Sequence, residues 1–376
     1  VYDTDDHPPM GKLIIAGVMR VVGDDPVGWR LASELFGFIN IGLGAWQAWV
    51  VFRRRRAALI AAAFVAADGF FIAYARAALL DGMIVAFALA GFTTLLAARR
   101  SWHVLLAAAL LGGAASFKLN GVPFVAAATV LCAASRRWRR LAPLVLLTAA
   151  LVFYLQSAAA LVLTGRSGTL TAVIAENHKL VTRHLSYTVV HPYSSKWYTW
   201  FVPTRPIFLR HDVDPTNGTL RASLTLGNPL LWWASSLAIV VAATVVAKVG
   251  LRRLWAQLQA MGSARIADSP VANDAVLALD DRAALLFAVL AAWLGPLAFW
   301  VPSLRDAYLY HYFPSYAFAL ILLAGLTERC YAKPRCQAWT FVAILLVAEA
   351  SFFYAPLWGE LPIAQAAVRL RLPFGN

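Results

Sequence analysis

RRRRAALIAAAFVAADGFFIAYARAALLDGMIVAFALAGFTTLLAARR, residues 53–100, reads as two apolar runs, 57–75 and 78–98, closed at both outer ends by arginines. Each run approaches the roughly 20 residues that a helix needs to cross about 30 Å of hydrocarbon. The stretch is therefore a hairpin of two membrane spans, not the core of a soluble domain. Its turn carries Arg76 and Asp81, while Arg53 to Arg56 and Arg99 with Arg100 lie together at the other side. Loops rich in Lys and Arg stay in the cytoplasm, so Arg76 and Asp81 are expected at the opposite face.

The pattern repeats along the chain. Of 376 residues, 61% are hydrophobic and 14% charged, and the mean hydropathy is +0.66. Such a composition excludes an ordinary soluble domain. Ten apolar segments are read, at 31–52, 57–75, 78–98, 102–117, 121–135, 141–163, 230–249, 284–302, 311–327 and 338–357. Those at 102–117 and 121–135 are short and read as tilted, broken or partly re-entrant. Arg136 to Arg140, the Lys248 to Arg282 stretch and Arg329 to Arg335 fall on the same side as the first two clusters. Topology thus accounts for the net charge of +14, and no nucleic-acid partner is expected. Cys132, Cys330 and Cys336 form no CxxC pair, so neither a disulfide framework nor a zinc site is expected, and no residue is singled out as a metal ligand. The opening residues, VYDTDDHPPMGK, carry no signal-peptide pattern, and no repeat of 20 to 50 residues is visible.

The expected fold is an all-α polytopic membrane protein in five regions. Residues 1–30 form an external segment whose 7–22 stretch is a helix lying along the membrane interface, started by Pro8 and Pro9 and ended by Gly23 to Pro26. Spans occupy 31–163 and 230–357, the latter interrupted by a cytoplasmic linker at 250–283 with a short helix. Residues 164–229, rich in Trp, Tyr, His and Pro, form an extracytoplasmic cap with helices along the interface, and 358–376 is an external tail.

Polar residues beside apolar runs then become informative, because an ionisable group at membrane depth is costly and usually functional. Five groups stand out: Asp5, Asp6 and His7 with Lys12; Arg76 and Asp81; Lys118 and Asn120; the 191–205 stretch; and 305–312. Each has a structural reading. Lys12, Arg20 and Lys118 can snorkel, Arg76 and Asp81 can form an ion pair, and Trp197, Tyr198 and Trp200 suit an interfacial belt. His311 suits a satisfied structural histidine. All five groups lie at one membrane face, however, and scattered structural charges would not.

The chemistry they fit is transfer from an anionic, lipid-linked donor. Lys12, Arg76, Lys118, Arg205 and Arg305 supply cations for a phosphate leaving group. Asp5, Asp6 and Asp81, with His7, supply candidate proton acceptors for an attacking hydroxyl. Asn120, His191, Tyr193, Trp197, Trp200, His311 and Tyr312 are the candidate substrate contacts.

At these residues the sequence resembles the protein O-mannosyltransferase family, specifically its bacterial members. HPPMGK at 7–12 is similar to the family's HPPLGK, with Asp5 two residues before the histidine. ARAALLDGM looks like SRxxLLDxM, and SFKLNG looks like SxKWxG with Leu119 in place of Trp. HPYSSKWYTW with RPI at 205–207, GNPLLWW at 227–233 and RDAYLYHYFP at 305–314 match in order and spacing. The resemblance implies a glycosyltransferase C fold of about eleven spans in the plasma membrane. It also implies a polyprenyl-phosphate-mannose donor held at the outer leaflet, and inverting transfer to Ser or Thr of translocated proteins. In the family an Asp-Glu pair after the first span supplies the catalytic base; ten segments here agree with a chain that starts after that pair. The 164–229 stretch is too short for the sugar-binding-like insert of eukaryotic members.

Two other readings are carried. A related transferase, such as the aminoarabinose transferases of lipid A, would glycosylate a lipid or glycan. The other is a transporter or a non-catalytic binding subunit; a transporter would show paired interrupted helices in two repeated halves, which this sequence lacks.

Overall fold

The computed structural model describes residues 7–186, 191–263, 282–303, 307–369 and 371. Helix α1, Met10–Val22, begins behind the two prolines and ends at Gly23, whose φ of 132° only glycine adopts easily. It is helical over the expected stretch, with Met10, Ile14, Ile15 and Val18 against the core. Helix α2, Pro26–Phe52, starts where Asp25 Oδ1 accepts the backbone N–H groups of Val27 and Gly28, both at 2.8 Å. Arg53, left-handed at φ 54°, closes it.

The next apolar run is not one straight helix. It is α3, Arg55–Ala67, and α4, Gly69–Arg76, bent by 57° at Asp68. Then follow α5, Asp81–Leu96, α6, Ser101–Ala115, α7, Val122–Ala134, and α8, Ala142–Leu163. Beyond α9, Leu170–Ser186, lie β1, Phe208–Val213, and β2, Thr219–Leu224. The chain continues with α10, Pro229–Ser263, α11, Arg282–Trp300, α12, Phe313–Tyr331, α13, Pro334–Gly359, β3, Ile363–Ala364, and α14, Gln365–Arg369.

Each of the ten apolar segments falls on one of these helices or on the broken pair. Among the described residues six helical stretches are long and apolar enough to cross a membrane, and the broken pair, taken as one span, makes a seventh. The segments over α5, α6 and α7 are shorter, at 16, 15 and 13 residues. Their ends are held by protein: at the α6 end, Ser116 Oγ donates to Gly112 O at 2.8 Å and the 3-10 turn Leu119–Gly121 leads into α7. Short apolar helices with ends satisfied in this way are tolerated at membrane depth. Gly112 lets α6 approach α8, for a Cβ there would stand 2.6 Å from Ala149 O.

Helix α12 is the centre of the bundle, its apolar window 89% buried, whereas that of α13 is 11% buried. On α13, Trp339 and Phe352 point outward, as on a helix facing lipid. Helix α10 continues to Ser263, so the first part of the expected linker is helical; residues 264–281 lie outside the described ones.

The expected helical cap also differs. Alongside α9 it holds a hairpin, β1 antiparallel to β2, and the tail adds β3 through Leu220 opposite Ile363. Asp214 turns the hairpin by accepting Thr216 N–H at 2.8 Å, and Gly218 takes φ 67°. Leu220, Ala222 and Leu224 face Leu357, Trp358 and Ile363 in a second small core. Arg210 fixes the hairpin to the end of α13 by donating to Glu360 at 2.6 Å.

The bend at Asp68 depends on the residue after it. A Cβ at Gly69 would stand 1.9 Å from Trp358 Cε2 and 2.4 Å from Leu226 O. Gly69→Ala is therefore expected to destabilise the protein by about 1–3 kcal/mol, read as a lower thermal midpoint in detergent. An unchanged midpoint would place α4 elsewhere.

Candidate active site

Asp81 opens α5 and Lys118 follows α6 in extended backbone, at φ −151°. Lys118 Nζ donates to Asp81 Oδ2 at 2.7 Å, the carboxylate being 1% exposed and the lysine 13%. The ammonium also lies 5.6 Å from the centre of the Tyr310 ring, within cation–π range. Tyr310 belongs to the 3-10 turn Leu309–Tyr312, so three of the five sequence groups meet around Lys118. The partner of Asp81 is thus Lys118, and not Arg76. Asp81 Oδ1 is buried without a hydrogen bond, as are both amide atoms of Asn120 and Nε of Arg76. Arg76 closes α4 and is partly buried.

The fourth group is tied to the fifth. Ser195 N–H donates to Ala307 O at 2.7 Å, and the His191 and Tyr308 rings meet edge-on at 5.7 Å. Tyr193 N–H donates to His191 Nδ1 at 3.2 Å. Trp200 Nε1 donates to Ser195 Oγ at 2.9 Å, and the Trp200 ring lies 6.2 Å from His311. His311 sits 3.9 Å from the Trp300 ring and accepts Tyr308 N–H at Nδ1, 3.0 Å away. Trp200 and Tyr312 are fully buried, and Tyr312 accepts from Trp293 Nε1 at 3.0 Å. These two side chains pack beneath the loops, while Trp197 is partly buried against the same core. Arg205, expected beside a phosphate, is exposed and donates to Ser194 O at 2.7 Å.

His7 and Lys12 line a cavity of about 350 Å³ between α1, α8 and α9, with Arg166, Glu176 and Asn177. Among the described residues none of the other four groups lines it, so this cavity is not the single site expected to gather all five. A contact between α1 and the ion pair's surroundings runs through Gly11, whose missing side chain leaves room for Leu80 and Phe117. A Cβ on Gly11 would stand 2.4 Å from Leu80 and 3.1 Å from Phe117, the neighbours of Asp81 and Lys118. Helix α1 is seated directly on the ion pair's two anchors. Asp5, Asp6 and Arg305 lie outside the described residues.

In the cavity wall Glu176 is paired with Arg166, and Lys179 is 3.9 Å away. The Arg166 hydrogen bond holds the Glu176 carboxyl below the usual carboxylate range. A depressed folded pKa stabilises above the ordinary range, and that contribution is lost as pH falls through the depressed value. Glu176→Gln is therefore expected to lower stability at neutral pH by up to about 1 kcal/mol, with the difference vanishing in acid. Equal midpoint losses at both pH values would show that the pair is not the cause.

Sequence reading passed over Asp68, which is completely buried and accepts from Asn228 N–H at 2.9 Å and Tyr316 OH at 2.8 Å. The signal was present as an acidic residue before a glycine inside an apolar run. Among the described residues, no group of three or more His, Cys, Asp or Glu is placed to hold a metal.

Residues 6–162 match the family model of dolichyl-phosphate-mannose-protein mannosyltransferase. Residues 169–363 match that of the C-terminal four TMM region of protein-O-mannosyltransferase. The polyprenol-phosphate-mannose–protein mannosyltransferase of Mycobacterium tuberculosis is 33% identical over 107 residues, covering 28% of this chain and 20% of that protein. Its Mycolicibacterium smegmatis counterpart is 34% identical over 105 residues, covering 27% of this chain and 20% of that protein. The match thus spans about a fifth of the length of these curated relatives. Among solved structures, the S. cerevisiae protein O-mannosyltransferase Pmt1-Pmt2 complex bound to the sugar donor superposes with a TM-score of 0.75 at 13% identity, over 100% of this chain and 86% of that one. ArnT from Cupriavidus metallidurans bound to undecaprenyl phosphate gives 0.51 at 16% identity, over 98% of this chain and 61% of that one. Identities this low carry the fold alone.

Proposed function

Because this chain belongs to the protein O-mannosyltransferase family, we propose that it transfers a mannosyl residue from a polyprenyl-phosphate donor to Ser and Thr hydroxyls of translocated proteins. The hydroxyl oxygen attacks the sugar's anomeric carbon, the bond from that carbon to the phosphate oxygen breaks, and the phosphate leaves with the electron pair. Attack opposite the leaving group inverts the centre. Two demands follow: a cation for the developing phosphate charge and a carboxylate for the hydroxyl proton.

The observation that carries this reading is Lys118, held by Asp81 under the Tyr310 ring where three sequence groups meet. Lys118 and Arg76 face the departing phosphate, with Arg305 as a third cation. Asp81, paired and sealed, orients Lys118; the proton goes to a carboxylate ahead of His7, where Asp5 and Asp6 stand. Lys12 serves the same region from the cavity wall. Asn120, with both amide atoms unpartnered, and the partly buried or exposed His191, Tyr193 and Trp197 are the substrate contacts, supported from below by Trp200, His311 and Tyr312. The basic clusters all fall at the other ends of these helices, which supports a plasma-membrane enzyme acting at the outer face.

The experiment is transfer from radiolabelled polyprenyl-phosphate-mannose to a Ser/Thr peptide by the full-length protein in detergent, with the anomer of the product compared with that of the donor by NMR. Labelled peptide with inverted configuration is expected. Label on a lipid or glycan acceptor, with none on peptide, would move the protein to the lipid-modifying reading.

A further inference from the structure

The 57° break between α3 and α4 places a carboxylate inside the bundle, and two arms of contact lead from it toward the site. Asp68 Oδ1 accepts Phe70 N–H at 2.9 Å and so caps α4, the helix that ends in Arg76. Asp68 Oδ2 accepts from Asn228 N–H and from Tyr316 OH. Asn228 in turn caps α10 by accepting Leu230 N–H at 3.0 Å and donates to Ser351 Oγ at 2.8 Å. Ser351 Oγ, on α13, donates to Ala67 O at 2.8 Å, which closes a ring back to the residue before Asp68.

The second arm is aromatic. The Tyr316 ring stacks on Trp232 at 4.3 Å and 25°. Trp232 Nε1 donates to Trp200 O at 2.8 Å, Trp200 Nε1 donates to Ser195 Oγ, and Ser195 N–H reaches Ala307 O. Room for this path is made by Gly227, where a Cβ would stand 2.9 Å from Asp68 Oδ2 and 2.6 Å from Trp232. One buried carboxylate therefore sets both the direction of α4 and the seat of the 191–200 loop.

We propose that Asp68 is a positioning residue for mannosyl transfer, fixing Arg76 through α4 and the 191–200 loop through Tyr316, Trp232 and Trp200. This rests on the functional reading above. An apolar side chain would fill the same space in a membrane bundle at lower desolvation cost, so three donors converging on one carboxylate are the costly solution. What the carboxylate supplies is direction: its two oxygens take donors from α4, from the residue that caps α10 and from α12, at angles that packing alone does not define.

Asp68→Asn keeps the shape and one acceptor oxygen while replacing the other by a donor. The full-length variant in detergent is expected to turn over at least about tenfold more slowly per folded molecule. Amide hydrogen exchange in 192–203 is expected to rise by about tenfold, with α5 exchange at the wild-type level. Tyr316→Phe removes a single hydroxyl and should raise exchange in 192–203 alone, with a smaller loss of turnover; it decides the matter if Asp68→Asn does not fold. Wild-type turnover with wild-type loop exchange in a folded variant overturns the proposal. So does a uniform rise in exchange across the bundle with full turnover of the folded fraction, which is what a merely structural pin produces. If the wild-type protein transferred no mannose, the functional reading would fall, while the exchange comparison would still show whether Asp68 seats the loop.

Discussion

Lys118→Ala is expected to abolish measurable transfer and to destabilise the folded protein by about 3–5 kcal/mol, because it strands the Asp81 carboxylate in the interior. The carboxylate is 1% exposed, its Oδ2 is held by Lys118 at 2.7 Å, and its Oδ1 already lacks a hydrogen bond. The two losses are separable. Asp81→Asn combined with Lys118→Ala removes both charges, so the thermal midpoint should recover toward wild type while transfer does not. Recovery of both together would show that Lys118 contributes only to folding. Recovery of neither would mean that the site's shape, and not its charge balance, depends on the pair. Lys118→Arg is the third arm: it keeps the ion pair's charge but spreads it over a planar guanidinium whose donors are arranged differently from the compact ammonium. Partial stability with little transfer is expected.

That pairing also marks the limit of what the sequence discloses. The ten apolar segments were legible because hydropathy sums over some twenty residues, and each sum survives local irregularity. The start of α1 behind Pro8 and Pro9 and its end at Gly23 were legible because both signals are backbone constraints at fixed offsets. The same summing hid Asp68, for one carboxylate in the run 57–75 barely changes the average, and the bend it makes is set by Asn228, Tyr316 and Trp358, far away in the chain. Asp81 and Lys118 were read as site residues from their sidedness, but 37 positions separate them and nothing in one sequence couples them. Arg76, five residues from Asp81, was the nearer structural partner on paper, yet Asp81 pairs with Lys118 instead.

The β-hairpin was hidden differently. FLRHDV and TLRASL flank a DPTNG turn, a visible hairpin signal, yet the surrounding aromatic and basic residues read as an interfacial cap. Its third strand, Ile363–Ala364, is two residues long and owes its conformation to pairing with β2, so no propensity in the tail foretells it.

Arg76→Ala should separate catalysis from stability in the opposite sense to Lys118→Ala. Arg76 forms no ion pair among the described residues, and its Nε is buried without a hydrogen bond. Removing the guanidinium therefore strands no carboxylate, and the thermal midpoint is expected to stay near wild type. Transfer should nevertheless fall by about ten- to a hundredfold in kcat/KM, the equivalent of one charge-assisted hydrogen bond of about 1.5–3 kcal/mol to the departing phosphate. Arg76→Lys keeps the charge on a shorter donor set, loses the paired geometry that suits phosphate, and should fall between the alanine variant and wild type. The loss should appear mainly in kcat, since the phosphate gains charge only as the sugar departs and an interaction made chiefly in the transition state leaves KM almost unchanged. A raised donor KM with unaltered kcat would mean that Arg76 holds the lipid phosphate equally well before and during transfer. Wild-type kinetics in a folded Arg76→Ala variant would remove Arg76 from the donor site and leave Lys118 as the cation on which the phosphate assignment stands.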